Sequence, residues 1–256
     1  MVKKLLLVLV VVGLCSTVAL ALDPMGPPTA GLKKGQWSAG VEYSYSKMNI
    51  TRRGGYEGDL TGKYQVAKVE AQKVYANIGY GLSDNVVGFV RLGIGQGDFD
   101  RGTSEDTSIL WHGNGDTEFI WGAGIKATLT ENERVAWGLL AQYGWGRYEG
   151  TEKRATKDDR DYDNRMDELQ IAIGPTFKLA DAISIYGGPF LHYIRGEMNE
   201  DADSAGDKAI KSIGQKNEFG GYVGSLIKIA ENTDLTVEYQ YTGEAWALAG
   251  GVTFSF

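Results

Sequence analysis

Residues 35–46, GQWSAGVEYSYS, alternate strictly: Trp37, Ala39, Val41, Tyr43 and Tyr45 fall on one side of an extended chain, and Ser38, Gly40, Glu42, Ser44 and Ser46 on the other. A period of two marks a strand with one apolar and one polar face. The same period recurs near residues 73–82, 86–95, 116–129, 134–148, 166–179, 183–196, 217–229, 235–242 and 245–256, which predicts ten strands in all. Short turns at 83–85, 130–133, 180–182 and 231–234 alternate with long polar segments near 47–68, 96–115, 149–165 and 197–216, and a tight hairpin surrounds Gly243 and Glu244. Short connections at one end and long ones at the other describe an up-and-down barrel, whose even strand number puts both chain ends at the short-turn side.

A soluble β-sandwich also has strands with one apolar face. Strand length decides against it. Soluble strands usually run about five or six residues, whereas several of these run eleven or more, the length a tilted strand needs to cross a bilayer. On one strand Trp137 and Trp145 bracket Leu139, Ala141 and Tyr143. Tilted strand geometry separates those two rings by roughly 20 Å along the membrane normal, close to the height of a lipid-facing band between aromatic girdles. The chain ends GGVTFSF, with Val252, Phe254 and Phe256 still in step with the apolar face. Such an end must pair with the first strand, because hydrocarbon tolerates no open sheet edge. The expected fold is therefore all-β: a closed antiparallel up-and-down transmembrane β-barrel of about ten strands.

The first residues fix the compartment. Lys3 and Lys4, the apolar run from Leu5 to Leu14 and the small-residue pattern Ala19-Leu20-Ala21 read as a signal peptide over residues 1–21, cut after Ala21. Residues 22–34, with Pro24, Pro27 and Pro28, read as an extended periplasmic N-terminal arm, and residues 35–256 as the barrel. The single cysteine, Cys15, lies in the leader, so a disulfide-stapled extracellular fold is excluded. Removing Lys3 and Lys4 leaves 24 basic against 33 acidic residues, a net charge of −9, which argues against nucleic acid as a partner.

The alternating TFSF terminus resembles the C-terminal signal by which bacterial outer-membrane barrels are recognised for assembly. Over residues 35–256 the chain resembles the small outer-membrane β-barrel proteins, the grouping of opacity-type and OmpA-type transmembrane barrels. The resemblance implies residence in the outer membrane, contact with its lipid and lipopolysaccharide, and capture by the barrel-assembly machinery through Phe256. It implies no particular activity.

Three stretches share a design: EFIWGAGIKATL, ELQIAIGPTFKLA and EFGGYVGSLIKIA begin at Glu118, Glu168 and Glu218, and carry Lys126, Lys178 and Lys228 just before a short turn. The repeating unit is a hairpin with its turn and loop. With Glu42 and Glu238, and with Lys73 and Arg91, five acids and five bases are expected to face inward. His192 has the same phase, so the predicted lumen lining is Glu42, Lys73, Arg91, Glu118, Lys126, Glu168, Lys178, His192, Glu218, Lys228 and Glu238. Buried charges of opposite sign should pair, and a balanced lining does not make a strongly ion-selective pore. Inward glycines are expected to accommodate larger neighbours and twisted strands. Pro175 and Pro189, inside assigned strands, predict a bulge where those strands meet.

No catalytic residue, cofactor or metal is assigned. Only His112 and His192 supply an imidazole base. A resemblance to omptin proteases would need a histidine paired with an aspartate, and no Asp-x-His occurs; the His-x-Ser of deacylase barrels fails because residue 194 is Ile. Asp201, Asp203, Gly206 and Asp207 match part of a calcium loop, yet Ala205 and Ser212 stand where ligands belong. The sequence therefore predicts a structural barrel or a narrow passive pore for small solutes, with a loop-borne adhesin or ligand surface as the alternative and a barrel hydrolase behind it.

Overall fold

The computed structural model describes residues 22–53, 64–101, 111–153, 160–201, 208–214 and 218–256, which contain strands, turns and extended chain and no helix. There are twelve strand segments: β1 (Trp37–Arg53), β2 (Tyr64–Ser83), β3 (Val86–Arg101), β4 (Trp111–Gly115), β5 (Glu118–Glu131), β6 (Val135–Lys153), β7 (Arg160–Ala180), β8 (Ile183–Asp201), β9 (Lys208–Gly214), β10 (Phe219–Ala230), β11 (Thr233–Tyr241) and β12 (Ala245–Ser255). β4 and β5 both lie between β3 and β6, so they are one stave interrupted at Asp116–Thr117. β9 and β10 likewise share the side of β8. Ten antiparallel staves result, and β12 pairs with β1 from Ser255↔Ser38 to Ala245↔Met48, closing the ring. The seam is tied at its end by Trp37 and Phe256, each donating its N–H to the other's carbonyl at 3.0 and 2.9 Å. Closure leaves no edge, which is what a lipid environment demands.

The outer face is greasy where the alternation placed it. Val90, Leu92 and Ile94 on β3, Leu139 on β6, Ile171 and Ile173 on β7 and Leu248 on β12 are all exposed. Aromatic rings bound this band. Trp37 and Tyr80 lie 4.6 Å apart at the turn end, while Trp121–Tyr143 and Tyr45–Trp246 meet at 5.7 and 5.5 Å toward the loop end. On the loop side the tyrosine hydroxyls turn to polar groups: Tyr45 donates to Glu70 at 3.0 Å, Tyr43 to Gln72 at 2.7 Å, and Tyr143 to Asp167. Arg147, one outward position beyond Trp145, pairs with Asp163 at 2.9 Å. Rings with an apolar body and a polar tip settle at such interfaces.

All ten predicted strands are present, but they run further than the apolar pattern, so parts of the expected long loops are ladder. Residues 47–53, 64–72, 96–101, 111–115, 149–153, 160–165, 197–201 and 208–214 are strand. Backbone pairing needs no greasy face once the transmembrane portion has set the register. The β11–β12 hairpin ends early, at Thr242–Glu244, where Asn49 donates its N–H to the Glu244 carbonyl at 2.8 Å. Above it, Thr51–Arg53 lose β12 as a partner and take β9 instead, through Thr51↔Gly214 to Arg53↔Ser212. The barrel therefore closes with ten staves through the membrane and with eight in a collar beyond it.

The proline-bearing strands do not bulge at the prolines; their one register shift lies near the turn, between Lys178 and Ala180. Between β7 and β8 the pairing stops after Ala172↔Phe190 and resumes at Thr176↔Tyr186 in unchanged register, so no residue is inserted. Pro175 and Pro189 leave a gap in the ladder, and Gly174 and Gly188 close on each other within it: a Cβ on Gly188 would sit 2.1 Å from the Ile173 carbonyl oxygen.

Candidate functional site

The N-terminal arm is a plug. The sequence places residues 22–34 as an extended periplasmic arm; in the structure the chain enters at the turn end and climbs inside the barrel. Near the entrance Gly35 donates its N–H to the Gly81 carbonyl and Gly81 donates its own to the Gln36 carbonyl, both at 2.9 Å, and Lys34 donates its N–H to Asp84 at 3.1 Å. Thr29 meets Thr176 at 3.2 Å and Ala30 donates to Thr128 at 3.0 Å. Higher up, Met25 and Gly26 donate their N–H groups to the two oxygens of Glu238 at 2.9 and 2.8 Å. Gly26 has φ +66°, a left-handed conformation that glycine adopts without strain. Leu22, Asp23 and Met25 are wholly buried, and Leu22 belongs to an apolar cluster that includes Met48, Tyr148, Met166 and Ile194.

At the centre stands Asp23. One carboxylate oxygen accepts from Lys73 Nζ at 2.6 Å and from the Tyr75 hydroxyl at 2.9 Å; the other accepts from Arg91 Nη2 at 3.1 Å. Lys73 also reaches Glu168 at 2.8 Å, and Glu168 accepts the Asp23 N–H at 3.1 Å and a hydrogen bond from His192 Nε2 at 3.0 Å. The arm backbone is served as well. Arg91 and Gln142 donate to the Pro24 carbonyl at 2.9 and 3.2 Å, and Gln240 donates to the Asp23 carbonyl at 2.8 Å. Gln170 links Gln142 to Gln240, so three glutamines from β6, β7 and β11 belt the arm. Every charge at this level has an opposite or a donor beside it, which is the condition for burying ions at all. Arg91 also stacks over the Tyr75 ring at 4.8 Å.

Small residues make the room. A Cβ on Gly138 would lie 2.5 Å from the Pro28 carbonyl oxygen, and one on Gly81 would lie 1.9 Å from that of Lys33. These two inward glycines accommodate the arm, where the sequence suggested room for water, larger neighbours or strand twist.

Of the predicted lining residues, the structure gathers Lys73, Arg91, Glu168, His192 and Glu238 around the arm as buried groups. Glu42 approaches Arg91 at 3.9 Å and accepts from Asn77 at 3.0 Å. Lys126 lies lower, with its ammonium 5.7 Å from the Phe89 ring centre. The rest are at the rims. Glu118 and Glu218 are half-buried toward the loops, whereas Lys178 and Lys228 are exposed at the turn end, Lys178 paired with Glu131 at 2.8 Å. The grouping that the sequence missed is Asp23, Tyr75, Gln142, Gln170 and Gln240. Their phase was visible, but Asp23 lies in a segment without periodicity.

The outer membrane protein beta-barrel domain family matches residues 105–247, more than half of the chain. The chain belongs to that family. It resides in the outer membrane. No curated protein matches its sequence. Among solved structures, this outer-membrane barrel is similar to the outer membrane protease OmpT of Escherichia coli, with 11% identity, a TM-score of 0.55 and 92% of this chain and 99% of that chain covered. It is similar to the transport unit of the autotransporter AIDA-I from Escherichia coli at 9% identity and TM-score 0.51, over 92% and 93% of the two chains. The translocator domain of the autotransporter NalP from Neisseria meningitidis matches at 11% identity and TM-score 0.50, over 88% and 89%. At these identities the likeness is one of fold. A protease and two autotransporter units on one architecture illustrate that the fold carries no activity by itself.

Proposed function

We propose that this protein is a narrow outer-membrane pore held shut by its own N-terminal arm. The observation that carries the reading is Asp23: both of its carboxylate oxygens are bound to wall residues from β2 and β3, and its backbone to β7 and β11. Eight strands make an interior that side chains alone fill; ten make a wider one, and here the added space is taken by a charged segment of the chain itself. With the arm withdrawn, the waist would present Glu42, Glu168 and Glu238 against Lys73, Arg91 and Lys126, a balanced lining that passes small polar solutes with weak charge preference. A cavity of about 170 Å³ between arm and wall on the turn side gives the arm space in which to shift.

An enzymatic reading finds no support in the lumen. His192 is wholly buried, and its Nε2 is engaged by Glu168, out of reach of any substrate.

The test is conductance in planar bilayers of the purified protein beside a form lacking residues 22–34. The intact protein should be silent, and the shortened one should give reproducible steps. Silence from a folded shortened barrel would return the protein to a structural role, and equal conductance from both would remove the arm as a gate.

A further inference from the structure

Beside the arm, on the turn side of the waist, lies the cavity of about 170 Å³. One wall is the arm itself, through Pro24, Gly26, Pro27 and Thr29; the others are barrel strands, from Ser38 and Ser255 near the turn end to Glu42, Tyr186 and Glu238. We propose that this cavity is a binding site for a small zwitterion of the α-amino acid class, with its carboxylate on Lys126, its ammonium on Glu42 and its apolar side chain against Val87, Phe89 and Leu226. The proposal rests on the plug described above and names the class of solute held against it.

Unmatched polar groups carry the assignment. Lys126, on β5, is half-buried and makes no hydrogen bond or ion pair among the described residues; the Phe89 ring centre stands 5.7 Å from its ammonium. Glu42, on β1, accepts from Asn77 at 3.0 Å through one oxygen, while its buried Oε2 has no hydrogen-bond partner. Arg91 lies 3.9 Å from that oxygen and is committed to Asp23 and the Pro24 carbonyl. The hydroxyl of Tyr186, wholly buried on β8, is likewise unpartnered. The other two acids on the lining are met within the chain. Glu238 accepts from the Met25 and Gly26 N–H groups and from Gln240, and Asp234 stands opposite Lys228 across the β10–β11 ladder.

These groups select the ligand. An anion alone would leave Glu42 unmet, and a cation alone would leave Lys126 unmet. A zwitterion answers both and brings no net charge into a lumen where unpaired charge is costly. The Tyr186 hydroxyl adds a neutral donor. Val87, Phe89 and Leu226 supply apolar surface on the same lining. A cavity of about 150 Å³ holds benzene, so a branched aliphatic side chain the size of leucine's fits this one.

The test is calorimetric titration of the protein, extracted from outer membranes in detergent, with L-leucine and two truncated probes: 4-methylpentanoate, which lacks the ammonium, and 3-methylbutylamine, which lacks the carboxylate. Leucine should bind, and each truncated probe should bind about ten-fold more weakly or worse, the loss of a charged hydrogen bond. Lys126→Met should no longer favour leucine over 3-methylbutylamine, and Glu42→Gln should no longer favour it over 4-methylpentanoate. Tyr186→Phe removes only a hydroxyl and should weaken leucine roughly three-fold, which keeps the site testable if a charge variant fails to fold. Absence of leucine binding, truncated probes that bind as tightly as leucine, or folded variants with unchanged affinities would each overturn the site. The outcome is separable from the gating test. A protein that binds leucine while its shortened form stays silent keeps the site and loses the pore; a shortened form that conducts while the intact protein ignores leucine keeps the gate and loses the site.

Discussion

Asp23 and Lys73 meet at 2.6 Å in the middle of the barrel, fifty positions apart in the chain and both almost inaccessible to solvent. One comes from a proline-rich segment with no regular structure, the other from the centre of β2. Their contact fixes the N-terminal arm inside the barrel.

Replacing that carboxylate tests the closure. Asp23→Ala leaves Lys73 with one acid instead of two and deprives Arg91 of its nearest acid, and removing one partner of a buried pair costs about 3–5 kcal/mol. The expected outcome is a lower urea midpoint for the refolded barrel together with new conductance steps. A variant with wild-type stability and silence would contradict the central role given to Asp23.

The Tyr75 hydroxyl donates to the same carboxylate at 2.9 Å without carrying charge. Tyr75→Phe should therefore weaken the barrel by about 1–3 kcal/mol, the penalty of an unmet buried hydrogen bond, and leave the pore shut. Comparing the unfolding curves and bilayer recordings of the two variants separates hydrogen bonding from ion pairing.

Crowding offers a route to opening that touches no charge. Gly138→Ala would put a methyl group 2.5 Å from the Pro28 carbonyl oxygen, inside any permitted contact distance. The arm is expected to shift, and the arm backbone around Pro28 should become cleavable by added protease while the barrel remains intact. An arm as protected as in the wild type would show that the wall, not the arm, had yielded.

The outer band predicts a sharp contrast along β6. Leu139 is exposed between Trp137 and Trp145, and Arg147 follows two positions after Trp145. Ala141→Arg, midway between the two tryptophans, should cost about 2–4 kcal/mol, as for a cation placed at the bilayer midplane, measured by unfolding in lipid vesicles. Arg147→Lys should cost under about 1 kcal/mol. Equal effects at the two sites would move the membrane boundary.

The faces, the number of membrane-crossing strands and the closure of the barrel could be read from the chain alone. Alternation at Trp37–Tyr45 or Val252–Phe256 is a local pattern with a single physical solution in lipid, because each strand must bury its backbone and expose one greasy face. The inward phase of Lys73, Arg91, Glu168 and His192 followed from the same period. Tertiary structure alone decided what those residues face. Residues 22–34 have no period, and prolines in a short polar lead look the same whether the chain hangs in water or threads a lumen. The seat of Asp23 is set by groups on β2, β3, β7 and β11 that come together only when the ring closes. The collar was hidden for a related reason: the pairing of Thr51–Arg53 with β9 exists because the β11–β12 hairpin ends beneath it, and no feature of residues 51–53 or 208–214 announces a partner so far away.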